Sequence, residues 1–391
     1  MFGKNAFKGL TFSTFLLMFA SFFADIATEM LYPILPIFIT QTLLAPTSIV
    51  GIVEGIAVAT QNIIQGFSGY FSDKLEKHKA IAVLGYCIAA ISKPLIGFSV
   101  IWQQVLAARF SDRLGTGIRS APRDSLIAQS ADEKHRGKAF GLEGIGDNLG
   151  AFIGPLIAVL LLYSFHTNIR TIFYLAFIPA MFAVITISLV KEKKVKIESK
   201  TKLDFHLSHF PRSYWNYLLV TALFGIGNSS NAFLILRAKQ AGISLETTII
   251  IYAFFNLVAA FISYPAGALS DKIGRKTLLF FAFLIFLATY LGFGMSTNFW
   301  LLGFLFILYG IFSGTYRTIG KTYATDFVPQ SLRASAVGFY ATTVGLTGLI
   351  ASIVGGFLWT SINSSSTFYY GAFFAVVSIF SLLMLNPQKN R

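Results

Sequence analysis

The stretch Arg109–Asp124, RFSDRLGTGIRSAPRD, follows an apolar run yet carries Arg109, Asp112, Arg113, Arg119, Arg123 and Asp124. Read as a helix, Arg109, Asp112 and Arg113 stand at i, i+3 and i+4 and share one face. Acids in other hydrophobic segments, Asp25, Glu29, Glu54, Glu143 and Asp147, are available to meet that face. If these segments cross a bilayer, charges at that depth are expensive and mark function by default. The fold therefore turns on whether the surrounding segments span a membrane.

Composition answers that question. The chain of 391 residues is 55% hydrophobic and only 12% charged, against about 25% charged in a soluble domain. Its 41 Phe and 33 Gly suit lipid-facing bulk and close helix contact. This is the composition of an all-α polytopic membrane protein, with the lipid bilayer as its constant partner. A net charge of +14 invites a nucleic-acid reading, but the basic residues lie in short runs between apolar segments, the pattern of the positive-inside rule. The single cysteine, Cys87, excludes an intramolecular disulfide and a Cys-rich metal site. Lys4 and Lys8 precede an apolar run as in a signal peptide, but that run carries Asp25 and Glu29 and continues to Ile39. It reads as a first spanning helix.

A hydrocarbon core about 30 Å thick needs roughly 20 helical residues. Spans are predicted near residues 11–39, 48–71, 80–98, 101–120, 138–162 and 168–190, then 214–237, 246–269, 277–294, 298–320, 334–360 and 367–385. Basic connectors (Lys74–Lys79, Arg119–Lys138, Lys191–Arg212, Lys272–Lys276, Lys321–Arg333) alternate with connectors that are nearly free of charge; Arg170, Arg237 and Lys239 break the alternation. The alternation places both termini in the cytoplasm of a multi-pass inner-membrane protein. The expected organisation is a six-helix bundle over 1–190, a cytoplasmic linker over 191–212 and a second six-helix bundle over 213–391. His206 and His209 in the linker stand at i, i+3 without a cluster of acids or cysteines nearby, so no metal site is expected.

The halves repeat. Gly69-Tyr-Phe-Ser-Asp73-Lys74 has its counterpart in Gly267-Ala-Leu-Ser-Asp271-Lys272, an offset of 198 residues that also carries Arg119 onto Arg317. A half-chain repeat of six helices is the architecture of transporters that bind substrate near the midplane between halves.

At these residues the chain resembles the major facilitator superfamily, whose loop motif G-x-x-x-D-[RK]-x-G-[RK]-[RK] joins helices two and three and again eight and nine. Gly267, Asp271, Lys272, Gly274, Arg275 and Lys276 complete the second copy. The first keeps Gly69, Asp73, Lys74 and Lys77 but has Glu76 and His78 where glycine and a basic residue are usual. The resemblance implies that the Asp caps a neighbouring helix and that its basic partners close an inner gate, which fits a carboxylate at a helix N-terminus. Gly146-x-x-x-Gly150-x-x-x-Gly154-Pro155 resembles the helix-five motif of drug/proton antiporters without its two final glycines; small residues that let two helices approach closely would look the same. DRLGTGIRSAPRD resembles a signature of bacterial members with drug- or siderophore-related assignments, although the family's usual fourth-helix pattern R-x-x-Q-G is absent.

Depth along the helices orders the candidates. Asp25 lies about 21 Å along helix one and Asp147 about 14 Å along helix five, with Glu29 and Glu143 one turn away. A cluster of Asp25, Arg109, Asp112, Arg113 and Asp147 near the midplane is expected. An acid held between apolar walls and an arginine can take and release a proton, which makes Asp25, Glu29 and Asp147 the coupling candidates, in that order. Glu143 joins them, and Glu54 is expected as an outer relay or cation ligand. Arg109, Asp112 and Arg113, with Asn228, Asn231, Asn256, Tyr252, Tyr264 and Phe224, are expected to line an amide- and aromatic-walled substrate site. Lys93, beside Pro94, is expected to snorkel outward.

Gly314–Thr322 is a near-miss of a phosphate-binding loop without a preceding strand, and no Ser/His/Asp set or H-E-x-x-H is present. An ATP-driven pump, a membrane enzyme and a channel are therefore disfavoured. The expected function is secondary active transport of a small organic solute by alternating access, with the proton gradient as energy source, no cofactor and a single chain as the working unit. Multidrug-type proton antiport, exporting amphipathic compounds, is the leading reading. Uptake of an anionic metabolite or siderophore, suggested by the arginines, is the alternative, and metal-ion transport a more distant one.

Overall fold

The computed structural model describes residues 9–75, 77–132, 135–164, 168–192, 207–329 and 332–385; the linker's His206 lies outside them, as do Lys4 and Lys8. The helices are α1 (Phe12–Glu29), α2 (Leu35–Ile37), α3 (Thr47–Leu75), α4 (His78–Phe98), α5 (Trp102–Gln129), α6 (Arg136–Ser164), α7 (Ile169–Leu175), α8 (Phe177–Leu189), α9 (Arg212–Gly227), α10 (Ala232–Gln240), α11 (Leu245–Ile273), α12 (Arg275–Met295), α13 (Phe299–Asp326), α14 (Arg333–Ser361) and α15 (Ser364–Met384). Eleven of these segments, counting α7–α8 and α9–α10 as one each, are long and apolar enough to cross a membrane. The twelfth is α5, with 28 residues. Its six charges depress its hydropathy, yet it packs between α3 and α4 like any other span. The near-miss of a phosphate loop is an uninterrupted part of α13.

Three of the expected spans are interrupted, 168–190 by a single turn residue at Ala176 and two others by longer breaks. α1 stops at Glu29, because Pro33 has no amide hydrogen to offer the Glu29 carbonyl and its ring clashes there; turns over residues 30–34 lead into α2 and a π-helical turn, Phe38–Thr42. In the second half α9 ends at Gly227 and α10 begins at Ala232. The two breaks are repeat equivalents, and the hydroxyls of Tyr32 and Ser230, residues 198 apart, lie 3.2 Å from each other. Equivalent residues in contact straddle the pseudo-twofold axis. Interrupted helices at corresponding positions of two halves are the best structural pointer to a transporter's binding site.

Within the first bundle α1 packs on α6 and α8, and α5 on α3 and α4; in the second, α11 packs on α13, and α12 on α13 and α15. The bundles meet through α3 on α14 and α6 on α11. Glycines permit the closest crossing: a Cβ at Gly356 would sit 2.9 Å from the Cα of Ser48, and one at Gly345 would sit 2.8 Å from the Cβ of Asn62. We call the side carrying the 191–212 connector the linker face and the other the far face. At the far face Ile34, Ile37, Phe38 and Ile39 of the first bundle and Phe233, Ile235 and Ala238 of the second are fully buried, which seals that end. Toward the linker face Gly137, Gly141 and Gly144 of α6 have nothing within 4 Å of an added Cβ.

Arg170 and Arg237, which break the charge alternation, are accounted for by helix ends. Arg170 donates to the Gly97 and Ser99 carbonyls at 2.7 and 2.6 Å, at the end of α4. Arg237 donates to Phe293, Gly294 and Ser296 carbonyls at 2.8, 3.4 and 3.2 Å, at the end of α12, and to Ser364 at 2.8 Å. Each guanidinium meets carbonyls with no intrahelical partner and the negative end of a helix dipole. Arg237→Ala strands several of these groups in an apolar setting, at about 1–3 kcal/mol each. We expect a clear fall in the Tm of the purified protein; an unchanged Tm would contradict this role.

Candidate functional site

α5 enters the first bundle with its charges already partnered. Arg109 makes a forked contact with Glu54 of α3, Nε to Oε1 at 3.0 Å and Nη2 to Oε2 at 3.3 Å. Its Nη1 reaches Asp112 Oδ2 at 3.0 Å. The other Asp112 oxygen accepts from Lys93 Nζ of α4 at 3.1 Å, and Lys93 also reaches Thr28 of α1 at 3.3 Å. Arg109, Asp112, Lys93 and Glu54 are each 2% exposed. This is a four-helix ion-pair lock, since charges at such depth persist only when paired and hydrogen-bonded.

Several expectations are corrected here. Lys93 does not snorkel; Asp112 draws it inward. Glu54 is no outer relay, because both its oxygens are taken by Arg109. Arg109 and Asp112 are buried and fully paired, with Arg109 also 5.7 Å from the Tyr32 ring. Arg113 alone of the three is less enclosed, its Nη1 donating to Gln61 at 3.0 Å and its Nε 3.7 Å from Asp112. The expected single midplane cluster is two groups: this lock, and a file of acids between α1 and α6.

That file is created by the three glycines of α6. A Cβ at Gly146, Gly150 or Gly154 would lie 2.5–2.7 Å from the carbonyls of Met18, Phe22 and Ile26 in turn. α1 therefore lies directly on α6, the close approach that small residues allow. The same contact puts Asp25 against Gly150 and Glu29 against Gly154, with Cβ atoms at 2.9 and 3.1 Å from the added carbon. Asp25 then faces Asp147, within hydrogen-bonding reach. One turn toward the linker face Glu143 accepts from Ser21 at 2.7 Å and pairs with Arg123 at 3.1 Å; Arg123 also pairs with Asp124 at 3.0 Å.

Glu29 ends the file at the seam between bundles. As the last residue of α1 it turns to α11, where Tyr252 Oη donates to its Oε2 at 3.0 Å and Asn256 Nδ2 at 3.3 Å. Asn256 also donates to the Ala151 carbonyl of α6 at 3.2 Å, and the Tyr32 and Tyr252 rings stack at 5.4 Å. Among the described residues no Lys or Arg nitrogen lies within the 4.0 Å ion-pair limit of Glu29. Its direct partners are hydrogen-bond donors of the opposite bundle, with the charges of Arg113 and Arg109 acting at longer range.

The other second-half candidates separate. Asn231, at the start of α10, accepts from Tyr309 at 2.8 Å, and Asn228, in the helix break, has a buried Oδ1 without a partner. Phe224 is corrected: it is fully buried and stacks on Phe283 at 4.2 Å, deep within its own bundle. Tyr264 is 85% exposed on the outer surface. Sequence reasoning does not single out Tyr32 and Ser230, although Pro33 and the repeat offset point to them.

At the linker face Gly274 adopts a left-handed φ of 90° where α11 gives way to α12. Arg275 pairs with Asp326 of α13, an acid not anticipated, and lies 3.9 Å from Asp271. Asp271 is largely solvent-facing, contrary to a helix-capping role, and Lys272 is exposed. A Cβ added at Gly267 would lie 3.6 Å from Thr318, and one added at Gly69 would lie 3.3 Å from Ala121. Lys74 and Lys77 are exposed. The Asp73 side chain lies outside the described part.

Comparison with known proteins agrees with the architecture. The profile described as Major Facilitator Superfamily matches twice, over residues 17–235 and 217–391. The uncharacterized MFS-type transporter MJ1317 of Methanocaldococcus jannaschii is 34% identical over 97% of this chain and 96% of its own. A probable 4-methylmuconolactone transporter of Cupriavidus pinatubonensis is 29% identical over 87% of this chain and 82% of its own. Among solved structures, the nucleoside transporter NupG superposes with a TM-score of 0.78 at 14% identity, over 96% of this chain and 99% of that one.

Proposed function

The chain belongs to the Major Facilitator Superfamily, a multi-pass membrane transporter and not an enzyme, and from that premise we propose that it exchanges protons for small amphipathic organic cations. The observation that carries this reading is Glu29, a carboxylate of the first bundle held by Tyr252 and Asn256 of the second. Hydrogen bonds to a charged acceptor are roughly twice as strong as those between neutral groups. The empty, charged carrier is thereby latched at the seam beneath the sealed far face. A proton on Glu29, or a cationic solute beside it, neutralises the charge and loosens the latch. Only a loaded carrier then changes sides, which is the requirement for coupled exchange. Asp25 and Asp147, next along the file, can hold a proton between them and pass it toward Glu143 and the linker face.

The basic connectors support a cytoplasmic linker face; with the far face external, proton entry in exchange for solute would drive export. Of the arginines that suggested an anionic substrate, Arg109 is bound on both sides by Glu54 and Asp112, and Arg113 donates to Gln61. A second reading, uptake of a small organic metabolite, is favoured by the name of the Cupriavidus relative. One chain contains the whole site, and a monomer suffices.

The test is accumulation of a fluorescent lipophilic cation in cells stripped of their own efflux pumps. Expression should lower accumulation severalfold, and a protonophore should restore it. Equal accumulation with and without the protein, at verified expression, contradicts the exporter; proton-dependent uptake of organic acids would then support the second reading.

A further inference from the structure

Arg119 is a buried cation outside the lock, and it acts on the acid file only through its charge on Asp25. The crossing of α4 and α5 at Gly85 and Gly115, where an added Cβ would meet backbone at 2.6 Å, tucks the Arg119 stem against α4. Its guanidinium carbon then lies 4.2 Å from the centre of the Tyr86 ring. Arg119 is 6% exposed and Tyr86 2%. Arg119 Nε and Nη1 and the Tyr86 hydroxyl have no hydrogen-bond partner, and no carboxylate oxygen among the described residues lies within the 4.0 Å ion-pair limit of Arg119. Asp25, which feels its charge, faces Asp147 instead.

These orphaned groups line a small cavity inside the first bundle, between α1, α4, α5 and α8, apart from the seam between bundles. Lys93 and Thr28 complete its polar wall, and the remainder is five alanines, from α1, α4 and α8, whose small side chains leave the space. No acid lines it. The Arg119 Nε and Nη1 groups and the Tyr86 hydroxyl are unpartnered, Lys93 adds further donors, and the Tyr86 and Thr28 oxygens are the acceptors of this wall, so donors outnumber acceptors. Leaving such donors unmet in an apolar interior is costly, and a guanidinium at this depth calls for a counter-charge.

We propose that this cavity binds a small monovalent inorganic anion of about the size of chloride, held by Arg119 and Tyr86 with Lys93 adding positive potential. The anion supplies the charge that Arg119 lacks and ties α4 and α5 to α1 and α8. The site lies within the first bundle, apart from the Glu29 contacts with Tyr252 and Asn256.

The test uses the full-length protein in nanodiscs, exchanged into gluconate and titrated with chloride or bromide at constant ionic strength while thermal unfolding is followed. Tm should rise saturably with either halide. Arg119→Gln should abolish the response, and Tyr86→Phe, which removes one donor and keeps the ring, should raise the half-saturating concentration about tenfold. Should Arg119→Gln fail to fold, Tyr86→Phe carries the comparison. Crystals grown in bromide should show an anomalous peak between Arg119 and Tyr86. The proposal is overturned if gluconate and chloride give the same Tm, if Tyr86→Phe leaves the halide response unchanged, or if the bromide peak is absent from this cavity.

Discussion

Glu29→Gln is expected to abolish proton-driven accumulation of substrate in proteoliposomes while leaving downhill flux at or above the wild-type rate. The amide keeps the shape of the protonated acid and can still meet Tyr252 and Asn256, but without charge. Loss of charge assistance over two hydrogen bonds is worth about 2 kcal/mol. That corresponds to roughly thirtyfold in the equilibrium between latched and released states. The variant should therefore exchange conformations without waiting for a proton, and should dissipate a substrate gradient that the wild type builds. Retained accumulation against a gradient, at equal reconstituted protein, would remove Glu29 from the coupling mechanism.

The largest loss of stability is expected for Arg109→Met alone. Glu54 then faces the interior without its forked partner, and Asp112 keeps only Lys93 and a distant Arg113. Breaking one member of a buried ion pair costs about 3–5 kcal/mol, whereas removing both partners together is often nearly neutral. Arg109→Met should lower the Tm sharply and reduce the monodisperse fraction in detergent. Arg109→Met combined with Glu54→Gln should recover much of that loss. A single variant as stable as wild type, or a double variant no better than the single, would contradict the lock.

The architecture was legible because it rests on local chemistry. Apolar runs of about 20 residues, basic connectors and the 198-residue repeat each report on position relative to a bilayer, and each is visible without tertiary contacts. The α6 glycines were legible as a contact surface, though not that α1, with Asp25 and Glu29 on its face, was the helix they receive. Pairing was the illegible part. Glu54 and Arg109 are 55 residues apart, Lys93 and Asp112 lie on different helices, and nothing in hydrophobic periodicity says which helix faces which. A lysine in a span reads as snorkelling until its acid is found, and a pair of arginines reads as a substrate site until both sides of Arg109 are seen to be filled. Arg170 and Arg237 look like exceptions to the charge rule because helix ends, not the membrane potential, decide their position. Glu29 was a candidate on depth alone. The role proposed for it rests on Pro33, which ends α1 there, and on Tyr252 and Asn256 of the second bundle.

The measurement that tests the latch most directly is the distance between the far-face ends of the two bundles as a function of pH. Gln41 and Thr297 are both exposed at that face, one in each half, and Q41C/T297C with Cys87→Ser accepts one spin label at each. In nanodiscs without substrate, the wild-type separation should stay short and uniform at pH 8 and gain a longer population as the pH falls to about 5.5. With Glu29→Gln the longer population should be present at every pH. A distance distribution that is independent of pH in the wild type, or a Glu29→Gln distribution identical to wild type at pH 8, would contradict the account.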